Sequence, residues 1–141
     1  MTEMMLRDIY DIMHRYALRN ENDVSGDEDS YYVGFKDYID GIPYSVSMET
    51  KSFGTVNHIE FDFPKRIPAH KMKEASRVAN DLNCQIRFGT FRLVEHNGRV
   101  RYCFDTILKY SQVDTNYFAE IVSLSERTIK EYAPRLLELC E

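Results

Sequence analysis

Histidine and cysteine are the residues of this chain that could bind a metal ion or attack a substrate. The 141 residues include four histidines and three cysteines: His14, His58, His70, His96, Cys84, Cys103 and Cys140. No CxxC is present, and no His or Cys stands at the short spacing of a zinc site. His58, Glu60 and Asp62 share one strand face, which we interpret as the solvated side. We interpret the cysteines as reduced thiols that fill small spaces, and we predict no metal-ligating residue.

The segment 20–30 is the other place where a cation could bind. It carries five acidic residues and no basic one. Glu21, Asp23 and Ser25 stand where an EF-hand calcium loop has oxygen donors, but its twelfth position, which needs a bidentate Glu, is Tyr32. We interpret the segment as a solvated loop, with weak cation binding as the alternative.

Motifs for nucleophilic catalysis and for phosphate binding do not occur in the sequence. It has no GxSxG, no GxGxxG and no glycine-rich phosphate loop. We therefore predict no catalytic residue, no cofactor-binding residue and no cofactor, and a protein that is not an enzyme. The alternative is a small-ligand-binding protein or an enzyme that uses the concave apolar face of its sheet.

Basic residues are concentrated in the segment 65–109 of a chain whose net charge is −5. This segment has ten Lys or Arg against four acids, whereas the segment 1–64 has five against thirteen. We interpret these charges as solvated faces of a helix and two strands, with an acidic protein partner or a phosphate-contacting surface as alternatives. The run 87–91 (RFGTF) is similar to an RNA-recognition strand, but the βαββαβ order is missing and the net charge opposes nucleic acid.

Composition places the chain among globular proteins. Hydrophobic residues make up 43% and charged residues 29%, and we predict one domain, 1–141. No apolar run approaches the ~20 residues of a membrane span, and charges interrupt the N-terminus too often for a signal peptide. We therefore expect a cytoplasmic protein without a membrane partner.

The first half predicts a helix and three strands. The stripe of Leu6, Ile9 and Met13 has helical spacing, and the helix fades near Asn20. Asp40-Gly41 predicts a two-residue hairpin turn. The turn sets three pairs on one face: Ile39 with Ile42, Phe35 with Val46, and Val33 with Met48. A four-residue loop would then set Val46 by Ile59 and Tyr44 by Phe61, and Pro64 would end the third strand.

The second half predicts a helix, a hairpin and a long helix. Pro68 begins the second helix and Asn83 can stop it. Asn97-Gly98 predicts a two-residue turn in a hairpin whose first strand spans 84–95, with a β-bulge at Gly89-Thr90. The expected pairs are Glu95–Val100, Leu93–Tyr102, Phe91–Phe104, Ile86–Leu108 and Cys84–Tyr110.

Asp114 caps the last predicted helix, and Pro134 should kink or break it. Its predicted buried side is formed by Phe118, Ile121, Val122, Ile129, Tyr132, Leu136 and Leu137. The order is α-β-β-β-α-β-β-α, which predicts an α+β fold of two layers with a five-stranded antiparallel sheet and helices on one face.

Short motifs in the second half resemble the YbjN family. They are the run 78–83 (VANDLN) with its paired Asn80 and Asn83, the strand 88–93 (FGTFRL), the run 98–102 (GRVRY) and Tyr132-Ala133-Pro134. The resemblance covers about 80–137 and implies a fold similar to type III secretion chaperones. It implies a bacterial, cytoplasmic regulator in stress or sensory responses, and it carries over no catalytic residue.

The expected function is a non-enzymatic protein-binding module, either regulatory or chaperone-like. Its partner is another protein. The resemblance to type III secretion chaperones, which are homodimers, also implies a homodimer, and the second helix and the strand 84–95 are the candidate surface, because edge strands and open apolar faces favour self-pairing. For Asn80 and Asn83 we favour a structural role, in which the side chain bonds nearby backbone.

Overall fold

One antiparallel sheet of six strands forms the centre of the computed structural model, which describes residues 11, 12, 15, 25–27, 32–50, 56–107 and 115–141. The strand order is β1-β2-β3-β4-β6-β5. The strands are β1 (Ser25–Asp27), β2 (Tyr32–Ile39), β3 (Ile42–Thr50), β4 (Val56–Arg66), β5 (Thr90–Val94) and β6 (Arg99–Ile107). The five predicted strands are confirmed.

The additional strand β1 lies inside the segment 20–30, so the loop prediction is wrong for these three residues. β1 pairs with β2, and Gly26 stands opposite Val33. The outer edge of β2 offers unpaired backbone groups that a short segment can satisfy through its main chain alone. Side-chain composition therefore gave no sign of it.

The helices are α1 (Met72–Gln85), α2 (Thr115–Tyr132) and α3 (Pro134–Leu137), and a 3-10 turn at Ala69–Lys71 precedes α1. The predicted break at Pro134 is confirmed, because α3 begins there. Residues 11, 12 and 15 are helical, in agreement with the predicted first helix. The rest of that helix and Asp114 lie outside the described residues.

The β2–β3 hairpin has the predicted register. Ile39 pairs with Ile42, Phe35 with Val46 and Val33 with Met48. Asp40 and Gly41 have φ of 52° and 78°, as a two-residue turn requires at both central positions.

The β3–β4 register differs from the prediction by two residues. Val46 pairs with Phe61 instead of Ile59, because the connection is longer than four residues. A shift of two leaves every side chain on its predicted face. β4 also continues past Pro64 to Arg66, and its pairing with β6 is irregular between Asp62 and Arg66. Proline is tolerated at such a bulge, because the residue in that position does not have to donate a backbone N–H to the neighbouring strand.

The β5–β6 hairpin turns through four residues, so the predicted two-residue turn is wrong. Gly98 N donates to Val94 O at 2.8 Å, and Asn97 Oδ1 accepts from Arg99 N at 3.0 Å. This side-chain bond stabilises the wider turn. The wider turn shifts the β5–β6 pairing by two residues from the prediction. Phe91 therefore lies opposite Tyr102, and Leu93 lies opposite Val100.

The start of β5 corrects three further expectations. α1 continues past Asn83 to Gln85, so Cys84 is helical, and Ile86 belongs to no strand. The expected pairs Cys84–Tyr110 and Ile86–Leu108 are therefore wrong. Gly89 precedes the strand with φ of 77°, and the change of chain direction there, rather than a bulge, explains the slip in alternation.

The core lies between the sheet and the helices. Its largest fully buried side chains include Tyr44, Tyr102, Phe61, Phe118 and Met48. Phe91 and Tyr102 meet edge to face with ring centroids 5.4 Å apart, and the Tyr102 hydroxyl donates to Phe88 O at 2.6 Å. The predicted buried side of the long helix is confirmed: Phe118, Ile121, Val122, Ile129 and Leu136 are buried, and Tyr132 and Leu137 pack against the core.

Gly89 allows a test of this packing against Gly41, since both have positive φ. A Cβ at Gly89 would lie 2.5 Å from the Tyr102 ring and 2.6 Å from Cys103 O, whereas at Gly41 it would meet nothing within 4 Å. We expect Gly41→Ala to lower the free energy of unfolding by about 1 kcal/mol and Gly89→Ala by roughly 2–4 kcal/mol. Urea denaturation measures both, and equal losses would contradict the close approach to Tyr102.

Candidate functional site

The sheet face opposite the helices carries a set of interacting polar side chains on β4 and β6. The register pairs His58 with Asp105, Glu60 with Cys103, and Asp62 with Arg101. Since side chains alternate between faces along a strand, all six project from the same face. We call these six residues the polar cluster.

Hydrogen bonds and ion pairs join the members of the polar cluster. His58 Nδ1 lies 2.6 Å from Asp105 Oδ1, and His58 Nε2 lies 3.3 Å from Glu60 Oε1. The Cys103 thiol donates to Glu60 Oε1 at 3.8 Å. Arg101 Nε lies 3.6 Å from Glu60 Oε2 and 3.2 Å from Asp62 Oδ1. Glu60 is therefore the centre of the network.

These contacts change the proton affinities of three groups. Hydrogen bonds with Cys103 and Glu60 raise the pKa of His58 to about 10. The hydrogen bond from His58 lowers the pKa of Glu60 to about 2. Burial, together with the nearby Glu60, raises the pKa of Asp62 to about 6. At neutral pH the cluster therefore contains a protonated imidazole against ionised carboxylates.

Sequence reasoning placed His58, Glu60 and Asp62 on one face but missed their partners. Cys103 and Asp105 come from β6, 43 and 47 residues away from the groups they contact. The alternation of β6 does place both residues on its polar face. Which residues of β4 they meet depends on the pairing of two strands that are distant in sequence, and the sequence does not specify that pairing. Of the other histidines, His70 and His96 are exposed and His14 lies outside the described residues.

A second titratable site lies on the helix side of the sheet. Asp37 of β2 and Glu126 of α2 are both half-buried, and their carboxyl groups interact with each other. Burial and the neighbouring Asp37 raise the pKa of Glu126 to about 7. Burial likewise raises the pKa of Asp37.

An apolar groove of about 370 Å³ lies between the β2–β3 hairpin and the C-terminal helices. We call it the hairpin groove; its apolar lining consists of Ile39, Ile42, Tyr44, Ile129, Pro134 and Leu137. Three charged residues at its rim are exposed: Asp40, Lys130 and Glu138. Lys130 Nζ lies 3.6 Å from Asp40 Oδ1. The groove can receive an apolar side chain but offers little for acid–base chemistry.

The outer edge of the sheet at β5 is partly covered by α1. The Asn83 amide donates to Phe91 O at 2.9 Å and its Oδ1 accepts from Phe91 N at 2.8 Å. One side chain thus occupies both outward backbone groups of Phe91, as a neighbouring strand would. The predicted role of Asn83 as a backbone partner is confirmed, and its predicted role as a helix stop is wrong.

Comparison with known proteins identifies relatives of this fold. The profile of a family described as "YbjN: Putative bacterial sensory transduction regulator" matches residues 24–138. The structure is similar to the "Crystal structure of YbjN, a putative transcription regulator from E. coli", with 10% identity, a TM-score of 0.63 and 94% of each chain covered. No curated protein matches the chain.

The chain is also similar to one in the structure of the HopA1-SchA chaperone-effector complex. The identity is 8% and the TM-score 0.55, with 89% of this chain and 94% of that chain covered. These likenesses confirm the predicted fold class, including its similarity to a type III secretion chaperone. Among the described helices, none has the length and apolar character to cross a membrane.

The pair of Asp37 and Glu126 predicts a loss of stability as pH rises. Because the folded-state pKa of Glu126 is about 7, above its ordinary 4.5, its stabilisation is complete below pH 4.5 and is lost as pH rises through 7. We expect wild type to lose about 1–3 kcal/mol more than Glu126→Gln between pH 4.5 and 8. Urea denaturation across this range measures it. Glu120→Gln, on the exposed side of α2, should follow wild type, and equal slopes for the two variants would contradict the pairing.

Proposed function

The chain belongs to the YbjN family, and on that premise we propose that it is a non-enzymatic protein-binding module with a regulatory or chaperone-like role. We propose further that it acts as one domain, 1–141, in the bacterial cytoplasm. Its three cysteines are free thiols, which is typical of proteins in a reducing compartment.

The hairpin groove is the observation that carries this proposal. Its walls are apolar and its charges lie at the rim, whereas a catalytic pocket needs polar groups that converge on a reacting atom. A volume of about 370 Å³ is enough for one or two large side chains but not for a folded domain. Such a groove suits a short apolar segment of a partner protein.

The rim charges indicate what flanks that segment. The rim carries two acidic residues, Asp40 and Glu138, and one basic residue, Lys130, which already forms an ion pair with Asp40. A Lys or Arg beside the apolar side chains of the partner would therefore meet a net negative rim. The similar fold in the HopA1-SchA chaperone-effector complex supports a protein as the partner.

Selection from a displayed random-peptide library tests the groove. We expect enriched peptides to combine aliphatic or aromatic residues with an adjacent Lys or Arg. Ile42→Glu, which places a carboxylate on the groove wall, should weaken the binding of a selected peptide about tenfold or more in calorimetry. Leu137→Asn changes the opposite wall and should act in the same direction.

Tyr38→Glu is the matched control, because Tyr38 belongs to the same hairpin, is 63% exposed and projects from the opposite sheet face. It should bind the peptide as wild type does. Melting temperatures of all variants separate lost binding from lost folding. If no peptide is enriched, or if Ile42→Glu and Leu137→Asn both bind normally, the groove is not the binding site.

We also propose that two copies associate through α1 and β5. β5 is the last strand of the sheet order, and it forms a hollow of about 190 Å³ with α1. The hollow is lined by Ser76, Ala79, Asn80, Phe91, Leu93 and Glu95. The same surface carries exposed Lys73 and Arg77. A two-fold axis brings these like charges together, so the association should be sensitive to salt.

Light scattering at low and high salt tests the dimer. Because salt screens the repulsion between basic residues, we expect the measured mass to move from 16.6 kDa towards twice that value as salt rises. Leu93→Glu should keep the protein monomeric, whereas Tyr38→Glu should not. A mass of 16.6 kDa at every salt and protein concentration would exclude the dimer.

A further inference from the structure

We propose that His58, Glu60 and Cys103 form a binding site for a divalent metal ion, with Zn²⁺ as the preferred ion. The ligand atoms of the three side chains all lie within 4.8 Å of one another. One nitrogen, one carboxylate oxygen and one sulfur form a donor set of the kind that Zn²⁺ binds. The site is separate from the hairpin groove and does not depend on the proposed function.

Two of the three separations between the donor atoms are close to those of a tetrahedral ion, and the third is below 4.8 Å. Zinc bonds of about 2.0–2.3 Å place neighbouring ligand atoms roughly 3.3 Å apart for nitrogen and oxygen, and about 3.6 Å apart for sulfur and oxygen. His58 Nε2 and Glu60 Oε1 are 3.3 Å apart, and Cys103 Sγ and Glu60 Oε1 are 3.8 Å apart. An ion that binds here would replace the hydrogen-bonding protons of these two contacts.

The surrounding residues already hold the ligands in suitable orientations. Asp105 Oδ1 lies 2.6 Å from His58 Nδ1, and a carboxylate on the second ring nitrogen is the usual partner of a metal-binding histidine. This contact leaves Nε2 directed towards Glu60. Arg101 approaches the other carboxylate oxygen, Glu60 Oε2, at 3.6 Å and leaves Oε1 for the ion. Asp105 and Arg101 are thus positioning residues.

The site is reachable yet partly enclosed. The side chains of His58 and Glu60 are 23% and 20% exposed, and Cys103 is 3% exposed. Three protein ligands on a sheet face that solvent reaches leave the fourth position to water or to an external ligand. Since all three ligands come from the regular part of the β4–β6 pairing, the bound ion would also tie these two strands together.

Titration of the untagged full chain with Co²⁺ tests the site, because cobalt bound to a thiolate gives a charge-transfer band in the near ultraviolet. Cys84→Ser/Cys140→Ser keeps Cys103 as the only thiol. We expect this double variant to show the band at one Co²⁺ per chain, and Zn²⁺ to abolish it by displacement. Its absence would overturn the proposal without requiring that a Cys103 variant fold.

Single substitutions then assign the ligands and the positioning residue. We expect Cys103→Ser to remove the charge-transfer band and His58→Gln to weaken Co²⁺ binding at least tenfold. Asp105→Asn should keep the band and weaken binding about 10- to 100-fold. His70→Gln is the control, because His70 is exposed on the 3-10 turn. A band that survives Cys103→Ser, or that His70→Gln reduces as strongly as His58→Gln does, would contradict the assignment.

Discussion

The antiparallel pairing of β4 with β6 is the constraint on which the rest of the structure depends. It joins the strands that precede α1 to the hairpin that follows it, across more than 40 residues of chain. On the helix face it sets Phe61 beside Tyr102, whose rings meet edge to face at 6.1 Å. On the opposite face the same register sets Glu60 beside Cys103. Because side chains alternate along a strand, one register fixes both the aromatic core and the polar cluster.

The irregular end of this pairing determines how the remaining elements attach. Beyond Asp62 the ladder is interrupted, and Ile67 N donates to Gly98 O at 2.8 Å instead, which holds the end of β4 against the β5–β6 turn. Glu141 N donates to Arg66 O at 2.9 Å, so the C-terminal segment returns to the same place. α1 then crosses the sheet to deliver β5 to its outer edge. In the strand order, the hairpin groove and the α1–β5 edge therefore lie at opposite ends of the sheet.

Local patterns in the sequence predicted most helices and strands and which side chains face the core. They did not predict the contacts between segments that are distant in sequence. The Asp40-Gly41 turn needs two positive φ values, so residue type alone specified the hairpin and its register. Asn97-Gly98 resembles the same signal, but Asn97 instead accepts a bond from Arg99 N and widens the turn. The position of Asn83 beside Phe91 and of Cys103 beside Glu60 depends on how distant segments meet, which no local pattern encodes. The polar cluster was for this reason visible only in part.

The charges of the polar cluster favour the folded state at His58 and Glu60 and oppose it at Asp62. Burial raises the pKa of Asp62 to about 6. The ionised carboxylate is therefore less stable here than in water, and each pKa unit corresponds to a free-energy difference of about 1.4 kcal/mol. Half-buried charges gain little net stability even when they are paired, whereas apolar side chains at the same positions would avoid the desolvation cost. The helix face already supplies a close-packed aromatic core on the same two strands. The partly solvent-accessible set of His, Cys and carboxylate groups on the other face is the feature of these two strands that core packing does not explain, and the proposed metal site accounts for it.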